Sequence, residues 1–513
     1  MPRTILRCCA FLALLFLRPA VSQANDFELI RSPLGVYAKV DIETAISAFS
    51  GSSSPTQSQL RSDLRQLYAQ LLSDPAAMGI TVAEHWDNIQ IAETEPDGYN
   101  WTYLDDAFAV ANAFRKPVQL IITPGVDSPS WLFSELKSCD GLFNAGPVDQ
   151  DCGKVTFTGF PQQTQRADTN TFPLPWNTTY QNAWHKFIWH LNERYRHNPA
   201  FTAIAVTGPV GASNEMILPN DANTTNPQPN GDSPNQMWAA LIANSFPTTD
   251  NSYQHSDQVF IDAWQHAIDD AESIFFGVTL VVSPDSGSDL PNFSTNVTPH
   301  SDNILFTQDC AASISADPSS DLYRDLMPCE AKTEILSDFI RARGPNGKVT
   351  RVGGMTASSP ETLATGDLGV PGIKLLTSLL PPPIPRFRGG AELDHPVSSA
   401  TQGEGCPNPQ GGCTGLTIEE GMFNVLTVFF NETPVAPFYD GTFGRASIQY
   451  LEVDYVDMQY AEGHPCPATT SPTLGNASLQ DLLNKANRDL LAMAGWLTPP
   501  APPTCADHRI WPW

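Results

Sequence analysis

A short apolar run followed by an amphipathic helical stretch recurs eight times along these 513 residues, and this alternation constrains the fold more than any other feature. Apolar runs at 35–41, 79–83, 118–123, 201–208, 278–283, 349–353, 386–392 and 447–453 have the length and branching of buried strands. Helical patterns follow at 56–72, 103–114, 178–197, 259–275, 331–343, 372–380, 417–430 and 479–494. In the first, Leu60, Leu64, Leu67 and Leu71 fall at helical spacing behind a Ser/Pro-rich start. Parallel strands need a crossover between them, usually a helix, so the pattern predicts a parallel sheet. Eight such units predict an α/β fold, a (β/α)8 (TIM) barrel with long loops at its active face. The apolar run at 303–307 has no helical pattern before it and reads as an excursion. The longest loops are 126–175, 209–257, 284–330 and 394–416, and three of them leave strand ends.

The ends of the chain read differently. Arg3 and Arg7, an apolar run from Cys8 to Leu17, and the small residues around Ala20 and Ala24 predict a signal peptide over 1–24. That run is too short to span a bilayer comfortably. A single barrel domain is expected over 25–498, followed by a Pro-rich tail over 499–513. Eight cysteines remain after the leader, as neighbours in sequence: Cys139/Cys152, Cys310/Cys329, Cys406/Cys413 and Cys466/Cys505. Eight allow 105 pairings, so the neighbour pairing is one choice among many. Paired cysteines require an oxidising compartment, which predicts a secreted or periplasmic protein. Sequons at Asn100, Asn177, Asn223, Asn292, Asn296, Asn431 and Asn476 would carry glycans only in a eukaryotic secretory pathway. With 55 acidic against 28 basic residues, the net charge is −27. Such a chain repels nucleic acid and anionic membranes and suits a neutral partner.

Carboxylates at strand ends carry the chemistry. Asn214 and Glu215 follow the fourth strand, at the face where barrel enzymes place catalytic acids. Glu392 ends the seventh strand, across the barrel mouth. Two carboxyl groups on either side of a glycosidic bond, one protonating the leaving oxygen and the other attacking the sugar, suffice to hydrolyse it. Glu452 competes with Glu392. It shares a face of the eighth strand with Tyr450 and Asp454, and a strand count off by one makes it the second carboxylate. Each has a structural alternative: a loop salt bridge for Glu215, a pairing with Arg386 or Arg388 for Glu392, a barrel-interior ion pair for Glu452. His85, Trp86 and Asp87 follow the second strand, Trp131 follows the third, and Trp176 lies near the end of the same long loop. Indole faces stack on sugar rings, and His, Asn and Asp read hydroxyls. Asp285 and His395 are weaker candidates of the same kind. No HExxH, P-loop or GxSxG motif is present, and no calcium-loop spacing, so no metal or cofactor is expected.

At this point the chain resembles the superfamily of retaining barrel glycosidases, most of all its beta-galactosidase-like branch. The likeness rests on Ala83-Glu-His-Trp-Asp-Asn-Ile-Gln90 with Gly98-Tyr-Asn-Trp101, on Val118 to Pro124 with Pro129-Ser-Trp-Leu132, and on Pro173-Leu-Pro-Trp-Asn177 leading to Asn198-Pro199. It covers residues 35 to 215 well and thins out beyond. The resemblance implies Glu215 as acid/base and an oligo- or polysaccharide or glycoside as substrate, with Asn214, His85, Trp86, Asp87, Trp131 and Glu452 as the candidate substrate ligands. Glu392 as nucleophile follows from its position, because the surrounding text departs from the family's. A barrel that binds glycans without cleaving them is the alternative.

Overall fold

The computed structural model describes residues 33–50, 55–94, 98–144, 146, 149–160, 171–211, 216–221, 223–225, 227–247, 258–282, 291, 351–352, 356–357, 389–393, 396–397, 417–430, 448–466 and 474–493. The expected leader, the Pro-rich tail, the apolar run at 303–307, and the helices at 331–343 and 372–380 lie outside the described residues.

The alternation folds as expected. Strands β1 (Gly35–Asp41), β2 (Ala77–His85) and β3 (Val118–Thr123) precede a small antiparallel hairpin, β4 (Lys154–Thr156) with β5 (Thr171–Pro173). The main sheet resumes with β6 (Phe201–Ala205), β7 (Thr279–Val282), β8 (Arg351–Val352), β9 (Thr356–Ala357), β10 (Gly389–Leu393) and β11 (Ile448–Asp454). Its order is β8-β7-β6-β3-β2-β1-β11-β10-β9, with every pairing parallel. The two ends of that order, β8 and β9, fall within the predicted sixth-strand region and just beyond it. Together they fill one position between β7 and β10, so the sheet curls into a (β/α)8 barrel.

The helices are α1 (Ile42–Ser50), α2 (Gln57–Ser73), α3 (Trp86–Ile89), α4 (Thr102–Phe114), α5 (Ser130–Glu135), α6 (Thr178–Tyr195), α7 (Pro234–Ser245), α8 (Gln258–Ile274), α9 (Ile418–Phe430), α10 (Tyr455–Gly463) and α11 (Leu479–Met493). Local chemistry starts them where the sequence implies. Thr56 caps α2 by accepting Gln59 N–H, and Asn177 caps α6 by accepting Thr179 and Tyr180 N–H. Ser233 and Gln236 form a reciprocal capping box on α7, with Pro234 at its first turn.

Strand residues alternate between two environments. One set, including Val36, Ala38, Val40, Ile80, Val82, Leu120, Ile122, Ile204 and Val282, packs against the helices in one continuous core. The other set faces the barrel interior, and it is largely polar. Register aligns Lys39 with Thr81, Thr81 with Gln119 and Gln119 with Ala203 as one tier. Ala83 and Ile121 are paired in the next, and with Ala205 they form a small cluster separate from the main core. His85 pairs with Thr123 at the carboxyl end. The amino end is filled by Tyr37 and Tyr450, whose rings meet edge-on at 6.1 Å. Gly79 makes room there, since a Cβ on it would stand 2.6 Å from the Tyr37 ring.

Candidate functional site

The strand ends leave polar side chains gathered at the carboxyl end of the barrel. Turns there are short, so the last strand residue often starts the next helix. Asp41 accepts Thr44 N–H at 2.7 Å in the first turn of α1, and Asp454 accepts Val456 N–H at 2.8 Å to cap α10. Burial raises the Asp454 carboxyl to about 6 against that hydrogen bond, with Asp457 adding to the rise.

His85 is the centre of the arrangement. Its Nδ1 lies 2.9 Å from Glu43 Oε2, in the first turn of α1, and 3.6 Å from Asp127 Oδ1, in the turn after β3. Neither approach lies along the N–H direction, so the contacts are ion pairs more than directed hydrogen bonds. Thr123 donates its hydroxyl to Asp127 Oδ2 at 3.0 Å. His85 and Asp127 are both buried, and Glu43 is partly exposed. Burial opposes the charged imidazole, but Glu43, Asp127 and Glu84 outweigh it and lift His85 to about 9. Burial also pushes Asp127 up, and the His85 charge and the Thr123 hydroxyl pull it part of the way back, to about 7. The ring is therefore cationic at neutral pH, beside Glu43 and an Asp127 carboxyl raised to about 7.

The turn carrying Asp127 is held tightly. Gly125 has φ +72°, and a Cβ there would lie 2.0 Å from Gly211 O, so only glycine fits. Val126 N–H donates to Gly211 O at 3.0 Å, and Gly211 N–H donates to Ile217 O at 2.7 Å. The residues bracketing 212–215 are thus tied to each other and to the residue beside Asp127.

Glu84 faces the other side of β2. It is buried, accepts its neighbour's His85 N–H at 2.9 Å and Asn88 Nδ2 at 2.8 Å, and so fastens the start of α3. Burial raises it to about 7 despite those bonds.

The sequence-predicted residues meet different fates. His85 ends β2 and is buried beside Glu43 and Asp127. Asp87 sits half-buried in the first turn of α3. Trp86 does not fit the expected role of sugar platform. It is wholly buried, packs on Trp184 at 5.0 Å and Phe187 at 5.5 Å, and donates its indole N–H to Gln90 at 2.9 Å, leaving no face for a ligand. Trp176 likewise packs on Trp238 and donates to Ser245 Oγ at 3.0 Å. Trp131 is half-buried in α5, and its indole N–H is enclosed without a hydrogen-bond partner among the described residues. Glu452 is buried in the barrel interior, where Gln119 Nε2 donates to it at 2.5 Å. The donor seen among the described residues is an amide. Asn214, Glu215, Asp285 and His395 lie outside the described residues, as does the side chain of Glu392. The Glu392 backbone lies in β10, in register with Glu452.

Sequence reasoning missed Glu43 and Asp127. Both are acidic residues just past strand ends, the criterion that singled out Glu215, so the signal was there to be applied to the first and third strands. Among the described residues no group of His, Cys, Asp and Glu is arranged to hold a metal ion, and no helix is long and apolar enough to cross a membrane. Cys139 and Cys152 form a disulfide with Cα atoms 5.2 Å apart, and Cys466 is disulfide-bonded as well.

No family model matches the sequence, and no curated protein does. Solved structures similar to this chain include the catalytic domain of beta-amylase from Paenibacillus polymyxa, at 11% identity and TM-score 0.41, covering 83% of this chain and 93% of that one. A thermostable mutant xylanase from Cellvibrio japonicus is similar at 10% identity and TM-score 0.37, covering 91% and 100%. A beta-galactosidase from the psychrophilic Marinomonas ef1 is similar at 13% identity and TM-score 0.28, covering 49% of this chain and 37% of that one. At these scores the reaction has to be argued from the site.

Proposed function

We propose that this chain is a secreted glycoside hydrolase that cleaves O-glycosidic bonds of a neutral sugar substrate with retention of configuration. The observation that carries the reading is the carboxylate-lined mouth at the carboxyl end of the barrel. Glu43 and Asp127 flank His85 there, Asp454 ends β11, and Gly211 accepts a hydrogen bond from Val126, the residue beside Asp127. The sequence resemblance at the second and third strands points the same way. The predicted leader and the Cys139–Cys152 disulfide support secretion.

In this mechanism Glu215 is the general acid. It protonates the glycosidic oxygen as Glu392 attacks the anomeric carbon, giving a glycosyl ester and a free alcohol. Glu215, now ionised, then takes a proton from water, which cleaves the ester and restores both groups. A negatively charged neighbour and burial would keep Glu215 protonated before attack. Asn214, His85, Asp87 and Trp131 would bind sugar hydroxyls or rings around the scissile bond. The chemistry requires no cofactor.

The test is a panel of aryl glycosides followed by proton NMR of the first-formed product. Retention predicts release of the same anomer as the substrate. Inverted product would replace the nucleophile with a second general base, and glycan binding without turnover would leave a non-catalytic binding barrel.

A further inference from the structure

The mouth contains a carboxylate that neither the two-carboxylate mechanism nor the packing accounts for. We infer that Asp127 is a substrate-contacting carboxylate of this site and that His85 is its positioning residue, one imidazole holding Asp127 and Glu43 at the lip of the barrel interior. The inference rests on the hydrolase reading and adds a residue to it.

The geometry comes from the interior alternation. His85 and Thr123 are the last inward-facing residues of β2 and β3, in register with each other. Thr123 holds Asp127 Oδ2, and His85 faces Oδ1. Both oxygens are therefore gripped from inward-facing positions, so the side chain is folded back over the barrel axis and away from the outer helices. The left-handed Gly125 and the bond from Val126 to Gly211 fix the turn that delivers it.

A purely structural carboxylate in this protein looks different. Asp106, between α2 and α4, takes a guanidinium bond from Arg61 at 2.8 Å and a second from Arg65. Asp457 Oδ2 accepts Val397 N–H at 2.8 Å. Asp127 Oδ1 instead has a cation at 3.6 Å and no aligned donor. A buried ion pair with a poorly directed bond adds little to stability. What it does supply is an enclosed acceptor lone pair next to a cation, chemistry suited to a hydroxyl donor. The charged groups around His85 are Glu43 from α1, Asp41 from the end of β1, Glu84 from β2 itself and Asp127 from the turn after β3. The ring charge pulls the Asp127 carboxyl down against its burial.

Two measurements test this. Selectively labelled histidine, read by NMR in the full chain, should show the His85 ring titrating well above pH 8, and Asp127→Asn should bring that midpoint down while the protein stays folded by circular dichroism. In turnover, His85→Asn should move the acid limb of kcat/KM upward in pH, about tenfold loss at one pH unit below the wild-type limb for each unit of movement. Asp127→Asn should raise KM more than it lowers kcat, and Asp127→Glu should restore part of the loss. A His85 midpoint near 6.5 that ignores Asp127→Asn overturns the pairing. An unmoved acid limb with an unchanged KM overturns the substrate contact. If His85→Asn fails to fold, the Asp127→Asn titration decides the positioning role alone. If wild type cleaves no glycoside, the hydrolase reading falls, and oligosaccharide affinity in Asp127→Asn against wild type still decides this one.

Discussion

Among the described residues, Glu452 and Asp127 are buried carboxylates of the barrel interior, and the donors that face them differ. Glu452, toward the amino end, sits among Tyr37, Tyr450 and Gln119, and a neutral amide donates straight to it at 2.5 Å. Asp127, at the carboxyl end, faces a cation at 3.6 Å and a threonine hydroxyl at 3.0 Å. A thin apolar tier of Ala83, Ile121 and Ala205 lies between the two ends. Burial alone does not tell a strut from a site. The difference lies in the donor: a directed neutral bond fastens two strands across the barrel, whereas a displaced charge leaves capacity for something else to bind.

The largest expected effect sharpens the boundary between this interior and the outer shell. Trp86→Ala should cost about 3–5 kcal/mol of stability by opening a cavity under α6, seen as a lower urea midpoint. Trp86→Phe should leave KM unchanged, because the indole touches no substrate. A raised KM in Trp86→Phe would return this residue to the site. Next, Gly125→Ala should cost more than about 1–2 kcal/mol from the left-handed backbone alone, with the clash against Gly211 added, and turnover should fall further than stability explains. At the other end, Gln119→Leu should remove roughly 1–3 kcal/mol by taking the amide from Glu452, with no change in the pH profile of turnover. A shifted profile would mean that the two ends are coupled.

The smallest effect concerns pH. His85 rises from 6.5 to about 9 on folding, so its contribution is complete below about pH 6.5 and fades as pH climbs through 9. Asp127 rises from 3.8 to about 7, so the folded state resists its ionisation and loses stability as pH climbs from about 4 to 7. Both slopes run downward with pH. Calorimetry between pH 6.5 and 9.5 should show wild type losing more melting temperature than His85→Asn, and equal losses would remove His85 from the ledger.

Much of this was legible in the sequence. The eight-fold alternation predicts the parallel sheet, and the period-two pattern of Tyr450, Glu452 and Asp454 correctly turns one face of the last strand inward. Gln119 as the partner of Glu452 was not legible, because it comes from 333 residues away and an amide leaves no charge signature. Trp86 was misread because the chain turns into α3 at that residue. Its side chain lies on the outward side of β2, opposite His85, and packs toward Trp184 and Phe187 on α6. Asp127 lies four residues past β3, so the strand-end criterion reaches it, but no periodicity inside that turn says which way its side chain faces. The three-residue strands of the β4–β5 hairpin are too short for any pattern to show.

The most direct test of the hydrolase reading compares wild type with Glu215→Gln on aryl glycosides, with both proteins shown to unfold at the same urea concentration. The account predicts measurable turnover by wild type and a loss of about 10²–10⁴-fold in the variant, the usual range for a missing general acid. Equal turnover by the two proteins would contradict it.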